Sequence, residues 1–152
     1  MSEKTFASNR KAFHDYHILD KVEAGLVLQG TEVKSVRGGN VSLRESYARI
    51  DGREAWLVGA HIAPYSHGNR YNAEPTRPRK LLLHRGEIGE LAGKVKQGGY
   101  TIVPLRVYER QGHVKVELGL ARGKKQWDKR HALAEREAER DIQRAIRDRE
   151  RD

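Results

Sequence analysis

Alternation around tight turns governs what this chain can fold into. Asp51-Gly52 separates Ser46–Ile50 from Glu54–Val58, and apolar and polar residues alternate on both sides. Successive strand side chains point to opposite faces, so this pattern predicts a half-buried hairpin. YTIVPLRVYERQGHVKVELGLA repeats the arrangement: Val103, Leu105 and Val107 alternate with neighbours, then Val114, Val116, Leu118 and Leu120 do the same. KLLLH adds a short apolar strand. YHILDKVEAGLVLQG, with Ile18, Val22, Leu26 and Leu28, reads as a long bent strand in which Gly25 would permit a bulge or bend. No strand–helix–strand rhythm links these segments. The expected fold is mainly β, a small closed antiparallel barrel with peripheral helices; an open sandwich is the alternative.

Two segments break the alternation with helical spacing. Thr31 can cap TEVKSVR, which Gly38-Gly39 would end. GEIGELAGKVKQGG puts Ile88, Leu91, Ala92 and Val95 on one face and stops at Gly98-Gly99. YSHGNRYNAEPTRPRK is interrupted by Pro75 and Pro78 and reads as a long basic surface loop. Residues 1–12 are polar and aperiodic, the pattern of a flexible basic arm. A barrel domain over 13–122 and a C-terminal tail over 123–152 complete the expected organisation.

Charge narrows the class of partner. The 152 residues can close one modest core, and the formal net charge is +9. Thirty Lys and Arg face 21 Asp and Glu. Each phosphate that a cation neutralises releases condensed counterions, so a polyanion is favoured, although an acidic membrane surface could use the same charge. There are no cysteines, which excludes disulfides, thiolate zinc sites and a cysteine nucleophile. MSEKTFASNR has no apolar stretch of the signal-peptide kind, and no run reaches the ~18 apolar residues of a membrane span. Mean hydropathy is −0.83, low enough that some segment should lie outside the core.

The tail is the segment that fits. Arg122–Arg130 (RGKKQWDKR) holds five basic residues and one acidic, whereas 131–152 holds six basic and seven acidic. Beyond His131 the tail is rich in Ala, Glu and Arg. Ala134, Ala138, Ile142 and Ala145 follow helical spacing, and Arg136, Arg140, Arg144, Arg147 and Arg151 share another face. Like charges at i,i+4 oppose an isolated helix, so the tail should fold on a partner whose negative charge relieves the stripe.

No catalytic motif emerges. The seven histidines are scattered and no HExxH is present. A ribonuclease using two of them as base and acid is the enzymatic alternative to an RNA-binding role. GLARGKK lacks the spacing of a phosphate loop. Arg70, Arg77, Arg79 and Lys80, with Tyr65 and Tyr71 nearby, suit phosphate contact and base stacking, or simply a solvated loop. Trp127 stands among Lys and Arg with no periodic apolar neighbours, which favours stacking on a base over packing on the barrel. Glu23 is an acid in an apolar stretch, either an exposed strand residue or an acceptor for base amino groups and ribose hydroxyls.

Taken in order, NRKAFHDY (Asn9–Tyr16), EAGLVLQGTEVKSVR (Glu23–Arg37), ESY (Glu45–Tyr47), RPRKLLLH (Arg77–His84), EIGELAGKVKQGGYTIVPLRVY (Glu87–Tyr108) and LARGKKQWDKR (Leu120–Arg130) resemble the SmpB family, partners of transfer-messenger RNA (tmRNA, SsrA RNA). The resemblance covers nearly the whole chain. It implies a six-stranded antiparallel barrel of the oligonucleotide-binding kind, about three flanking helices and a tail that becomes helical on the ribosome. It implies a cytoplasmic, non-enzymatic adaptor without cofactor. Such a monomer would bind the tRNA-like domain of tmRNA one to one. With elongation factor Tu and alanyl-tmRNA it would reach stalled ribosomes and place its tail at the small-subunit decoding centre and in the empty mRNA channel. On this resemblance Asn9, Arg10, Glu23, Arg79, Lys80, Leu82, Gly123, Lys124 and Lys125 are expected RNA contacts. Trp127, Asp128, Lys129, Arg130, Arg136, Arg140 and Arg144 are expected to act on the ribosome. Trp127 falls where family members commonly carry another ring, so Trp is a departure.

Overall fold

The structure, a computed structural model, describes residues 3–65 and 72–124, together with Arg144. In chain order its elements are β1 (Lys4–Ser8), α1 (Arg10–Asp15), β2 (Tyr16–Leu26), α2 (Gly30–Arg37), β3 (Val41–Ser42), β4 (Tyr47–Asp51), β5 (Glu54–Val58), β6 (His61–Ile62), β7 (Arg79–Leu82), α3 (Arg85–Lys96), β8 (Thr101–Arg110) and β9 (His113–Gly123). All strand pairings are antiparallel.

Six strands form a ring. β8 pairs with β4, β4 with β5, β5 with β7, β7 with β2, β2 with β9, and β9 returns to β8. The expected barrel is therefore present in oligonucleotide-binding form, but its closure is uneven. β4 meets β8 through one register pair, Ala48↔Ile102, and β2 meets β7 through two, Gly25↔Leu82 and Leu26↔Leu81. Long β2–β9 and β8–β9 ladders hold the opposite wall. Alternation fills the interior: Ala24, Ala48, Ala55, Leu57, Leu81, Ile102, Val107, Val116 and Leu118 are buried in one cluster. A second, smaller cluster lies outside the wall, where Ala12 of α1 covers Val103, Leu105 and Ala121. That is why β8 carries consecutive buried residues where simple alternation would predict exposed ones.

Three local expectations are corrected. Residues 4–12 do not form a flexible arm: β1 adds to the free side of β8, and α1 follows. The paired backbone of Lys4–Ser8 supplies stability that its polar side chains do not advertise. α2 begins one residue before Thr31, with Gln29 as N-cap and Glu32 reaching back to the Gln29 N–H at 2.9 Å. The reciprocal capping box satisfies two helix-end donors, which a lone Thr would not. The first hairpin turn is Gly52-Arg53, since Asp51 pairs with Glu54. Gly52 has φ +62°, as a two-residue turn with glycine in its first central position requires. The second turn, Gln111-Gly112, has φ of 52° and 78°, the primed turn that matches strand twist.

The bend in β2 is also displaced from Gly25. The register slips between Ile18 and Asp20, leaving Leu19 as the bulged residue, 54 % exposed. Gly25 serves another purpose. A Cβ there would lie 3.1 Å from Leu82 Cβ, so the glycine lets Leu82 lie flat on β2. α3 buries Ile88 and Leu91, while Val95 of the same stripe stays exposed.

Candidate nucleic-acid interface

The outer face of β2, β9 and β8 carries a linked set of polar side chains. Glu23 stands opposite Glu117, which stands opposite Arg106. One row further, Gly25 pairs with Lys115 and Lys115 with Tyr108. After the β8 register slip between Pro104 and Arg106, residues 106, 108 and 110 alternate outward. The Tyr108 hydroxyl donates to Glu23 Oε2, and Arg110 Nη1 donates to the same oxygen at 3.1 Å. The Arg106 guanidinium lies 4.0 Å over the Tyr108 ring, and Arg106 also pairs with Glu3 at 3.0 Å and Glu117 at 3.5 Å.

These contacts fix the charge state of Glu23. The hydrogen bond from Tyr108 lowers its pKa; burial works the other way, and Arg110 adds to the lowering. The Tyr108 hydroxyl is pushed well above its ordinary value, by burial first and by Glu23 second. Glu23 is thus a fixed, ionised acceptor with Oε2 engaged and Oε1 without a hydrogen-bond donor among the described residues.

Leu82 joins this patch from the other side. It is 55 % exposed and rests on Gly25, two residues along β2 from Glu23, or about 7 Å. Lys80 precedes it on the same face of β7 and lies 3.5 Å from Glu54. The structure therefore brings together Glu23, Leu82 and Lys80 of the expected contacts.

The remaining expected contacts fall elsewhere. Gly123 pairs with Tyr16 at the far end of β2, roughly 30 Å from the Gly25–Leu82 pair. Lys124 follows it and is partly exposed. Arg10 opens α1 and is exposed. Asn9 has its side chain engaged within the fold. It is buried, its amide oxygen accepts from Ala12 N at 3.2 Å, and its Nδ2 donates to Pro104 O at 2.9 Å and Leu43 O at 3.4 Å. Its side chain is consumed in capping α1 and tying it to the barrel.

Arg79 is likewise engaged within the fold. It is fully buried, donates from Nε to Glu32 Oε2 at 2.8 Å, and reaches the carbonyls of Ala60 at 2.6 Å and Pro75 at 2.9 Å. Arg77 donates to the other Glu32 oxygen. Burial works to raise the Glu32 pKa, but Arg77, the Gln29 N–H and Arg79 together hold it below the ordinary value. Burial pulls Arg79 down against Glu32, yet a guanidinium remains charged across the working range. Inward-facing Arg79 and outward-facing Lys80 look alike in sequence; only the register of β7 separates them.

Lys125, Trp127, Asp128, Lys129, Arg130, Arg136 and Arg140, like Arg70 and Tyr71, lie outside the described residues. Arg144 is exposed. Among the described residues no three His, Asp or Glu side chains group as a metal site, and no helix is long and apolar enough to cross a membrane. Sequence reasoning missed Tyr108, Arg106 and Arg110. Their signal was the i, i+2, i+4 spacing of Arg, Tyr and Arg on one strand face.

Comparison with known proteins agrees with this construction. The SmpB protein family model matches residues 6–148. An SsrA-binding protein of Carboxydothermus hydrogenoformans is 57 % identical over 145 residues, which cover 95 % of this chain and 97 % of that protein. One of Bacillus cytotoxicus is 56 % identical over 150 residues, covering 99 % and 97 %. A chain in the solved structure described as "tmRNA-SmpB: a journey to the center of the bacterial ribosome" superposes with a TM-score of 0.67 at 52 % identity, covering 78 % of this chain and 83 % of that one. A ring of six antiparallel strands, an acidic and apolar patch on its outer wall and a family match over nearly the whole length lead to one conclusion: the chain belongs to the SmpB family.

Proposed function

We propose that this protein is the tmRNA-binding adaptor of trans-translation, a cytoplasmic RNA-binding factor rather than an enzyme. Its barrel holds the tRNA-like domain of tmRNA as a monomer in a one-to-one complex. Its C-terminal segment enters the empty mRNA channel of a stalled ribosome after delivery with elongation factor Tu and alanyl-tmRNA. The observation that carries the reading is the patch of Glu23, Leu82 and Lys80, held by Tyr108 and Arg110 on a chain whose relatives are named SsrA-binding proteins. A fixed carboxylate accepts from base amino groups or ribose hydroxyls, Leu82 offers apolar contact, and Lys80 meets phosphate.

The reading separates two surfaces. The tail root at Gly123 lies at the opposite end of β2 from the patch. Gly123, Lys124 and Lys125 would make a minor RNA contact at the root of the tail, Trp127, Asp128, Lys129 and Arg130 would meet the decoding centre, and Arg136, Arg140 and Arg144 would lie along the channel. Deletion of residues 123–152 is expected to leave binding of the tRNA-like domain within about twofold and to abolish tagging of stalled chains. Filter binding beside a tagging assay measures both. A truncated protein that tags normally would contradict the division of labour.

A further inference from the structure

The barrel's outer wall continues past Lys80 in a direction that the proposed function does not use. Arg49 of β4 pairs in register with Trp56 of β5, and Trp56 pairs in register with Lys80 of β7. All three belong to outward positions, since their neighbours Ala48, Ala55, Leu57, Arg79 and Leu81 are buried. Neighbouring strands lie about 4.8 Å apart, so a ring stands between two cations within a span of about 10 Å.

Each member is available. Arg49 is exposed and has no ion pair among the described residues, unlike Arg37, Arg77, Arg106 and Arg110. Trp56 is partly exposed. Lys80 pairs with Glu54 at 3.5 Å, but both side chains are about half exposed, at 42 % and 50 %. Such an exposed pair is worth little, and a phosphate can replace the carboxylate. Asp51 and Glu54, paired in register at the hairpin end, are opposing charges on this face, and neither sits in the row.

The row also borders a cleft. Tyr47, Arg49, Ile50, Val95, Lys96 and Ile102 are among the residues lining a cavity of about 510 Å³. It opens where β4 and β8 share a single register pair. The sheet's thinnest seam thus lies beside the row, with the exposed ring of Tyr47 at its edge.

We propose that Arg49, Trp56 and Lys80 form a second RNA-contact row, which stacks one unpaired base on Trp56 between two phosphate-neutralising cations. This rests on the RNA-binding reading above and extends it from Leu82 across β7, β5 and β4. A partly exposed ring flanked by cations suits single-stranded RNA: every base offers a face to stack, and the cations hold the backbone without reading sequence. An acidic protein segment would satisfy the cations but leave the indole face without a planar partner. The unpaired base comes from tmRNA or from ribosomal RNA; the chemistry is common to both.

Only Trp56 and Trp127 are tryptophans in this chain, which makes the test direct. Full-length protein carrying Trp127→Phe reports from Trp56 alone; the Phe keeps a stacking ring at position 127, and the RNA affinities of this variant are measured beside those of the parent. It is titrated with the tRNA-like domain of tmRNA and, separately, with protein-free small-subunit ribosomal RNA, neither of which carries tryptophan. The row predicts quenched Trp56 emission that saturates with binding to one of them, and the responding RNA identifies the source. Trp56→Leu then weakens that binding by roughly 5- to 150-fold, the effect of losing one stacked base. Arg49→Ala, an exposed change that spares the fold, reduces the salt slope of log K by about one unit. Saturable binding of both RNAs with unchanged Trp56 emission, and an Arg49→Ala slope equal to that of the parent, overturns the row. Failure of the protein to bind the tRNA-like domain at all overturns the adaptor reading instead, and the ribosomal arm still judges the row.

Discussion

At the scale of single residues, burial separates cations that look equivalent in sequence. RPRK places Arg77, Arg79 and Lys80 within four positions, and all invite a phosphate-binding role. In the fold Arg79 is sealed inside with Glu32, and Lys80 faces out. Through one carboxylate Glu32 accepts from the Gln29 N–H at the start of α2, from Arg77 in the loop before β7 and from Arg79 in β7. Removing one partner of a buried pair leaves an uncompensated charge, so Glu32→Gln is expected to cost about 3–5 kcal/mol in urea denaturation at pH 7. The sign of its pH dependence follows from the lowered folded-state pKa. Stability from Glu32 is fully present above the ordinary carboxylate value of 4.5 and is lost as pH falls through the lower folded value. The wild-type advantage over Glu32→Gln should therefore shrink as the buffer is taken from pH 7 to pH 3. An advantage that is constant across that range would show that the charge of Glu32 is not what stabilises the fold.

At the scale of elements, hairpins were legible and the N-terminus was not. Alternation in Glu54–Val58 and His113–Leu120 specifies faces directly, because each strand has one wet side. β1 carries no such signal, since KTFAS lies on the barrel edge and gains order from the β8 ladder. α1 has six residues, too few to be stable alone, and is held by Asn9 and by burial of Ala12. Asn9→Ala removes the cap and leaves the buried Pro104 carbonyl without its donor. Together these are expected to cost about 2–4 kcal/mol, read as a lower urea midpoint with unchanged slope. An alanine variant with wild-type stability but weakened RNA binding would return Asn9 to the role of a direct contact. The site was half legible for the same reason. Glu23 stands out as an acid in an apolar stretch, and Leu82 is singled out by the family resemblance alone. The side chains that fix Glu23 come from β8, 85 and 87 residues away, and no local pattern encodes that meeting.

At the scale of the whole molecule, the ring of strands converts distant segments into one wall and spaces two functional ends along it. β2 spans the arrangement: Tyr16 meets the tail root at Gly123, and Gly25 meets Leu82. Net charge of +9 accounts for attraction to a polyanion but is silent on its shape. Shape discrimination belongs to Glu23, Leu82 and their supports, which offer acceptor and apolar contacts rather than charge. The most direct measurement is competition at fixed salt between labelled tRNA-like domain of tmRNA and unlabelled oligouridine for the full-length protein. The adaptor account predicts that oligouridine displaces the folded RNA only at concentrations at least about 100-fold above those of unlabelled tRNA-like domain, as a specificity ratio beyond counterion release requires. Equal displacement per nucleotide by the two RNAs would contradict it and leave a general single-strand binding module.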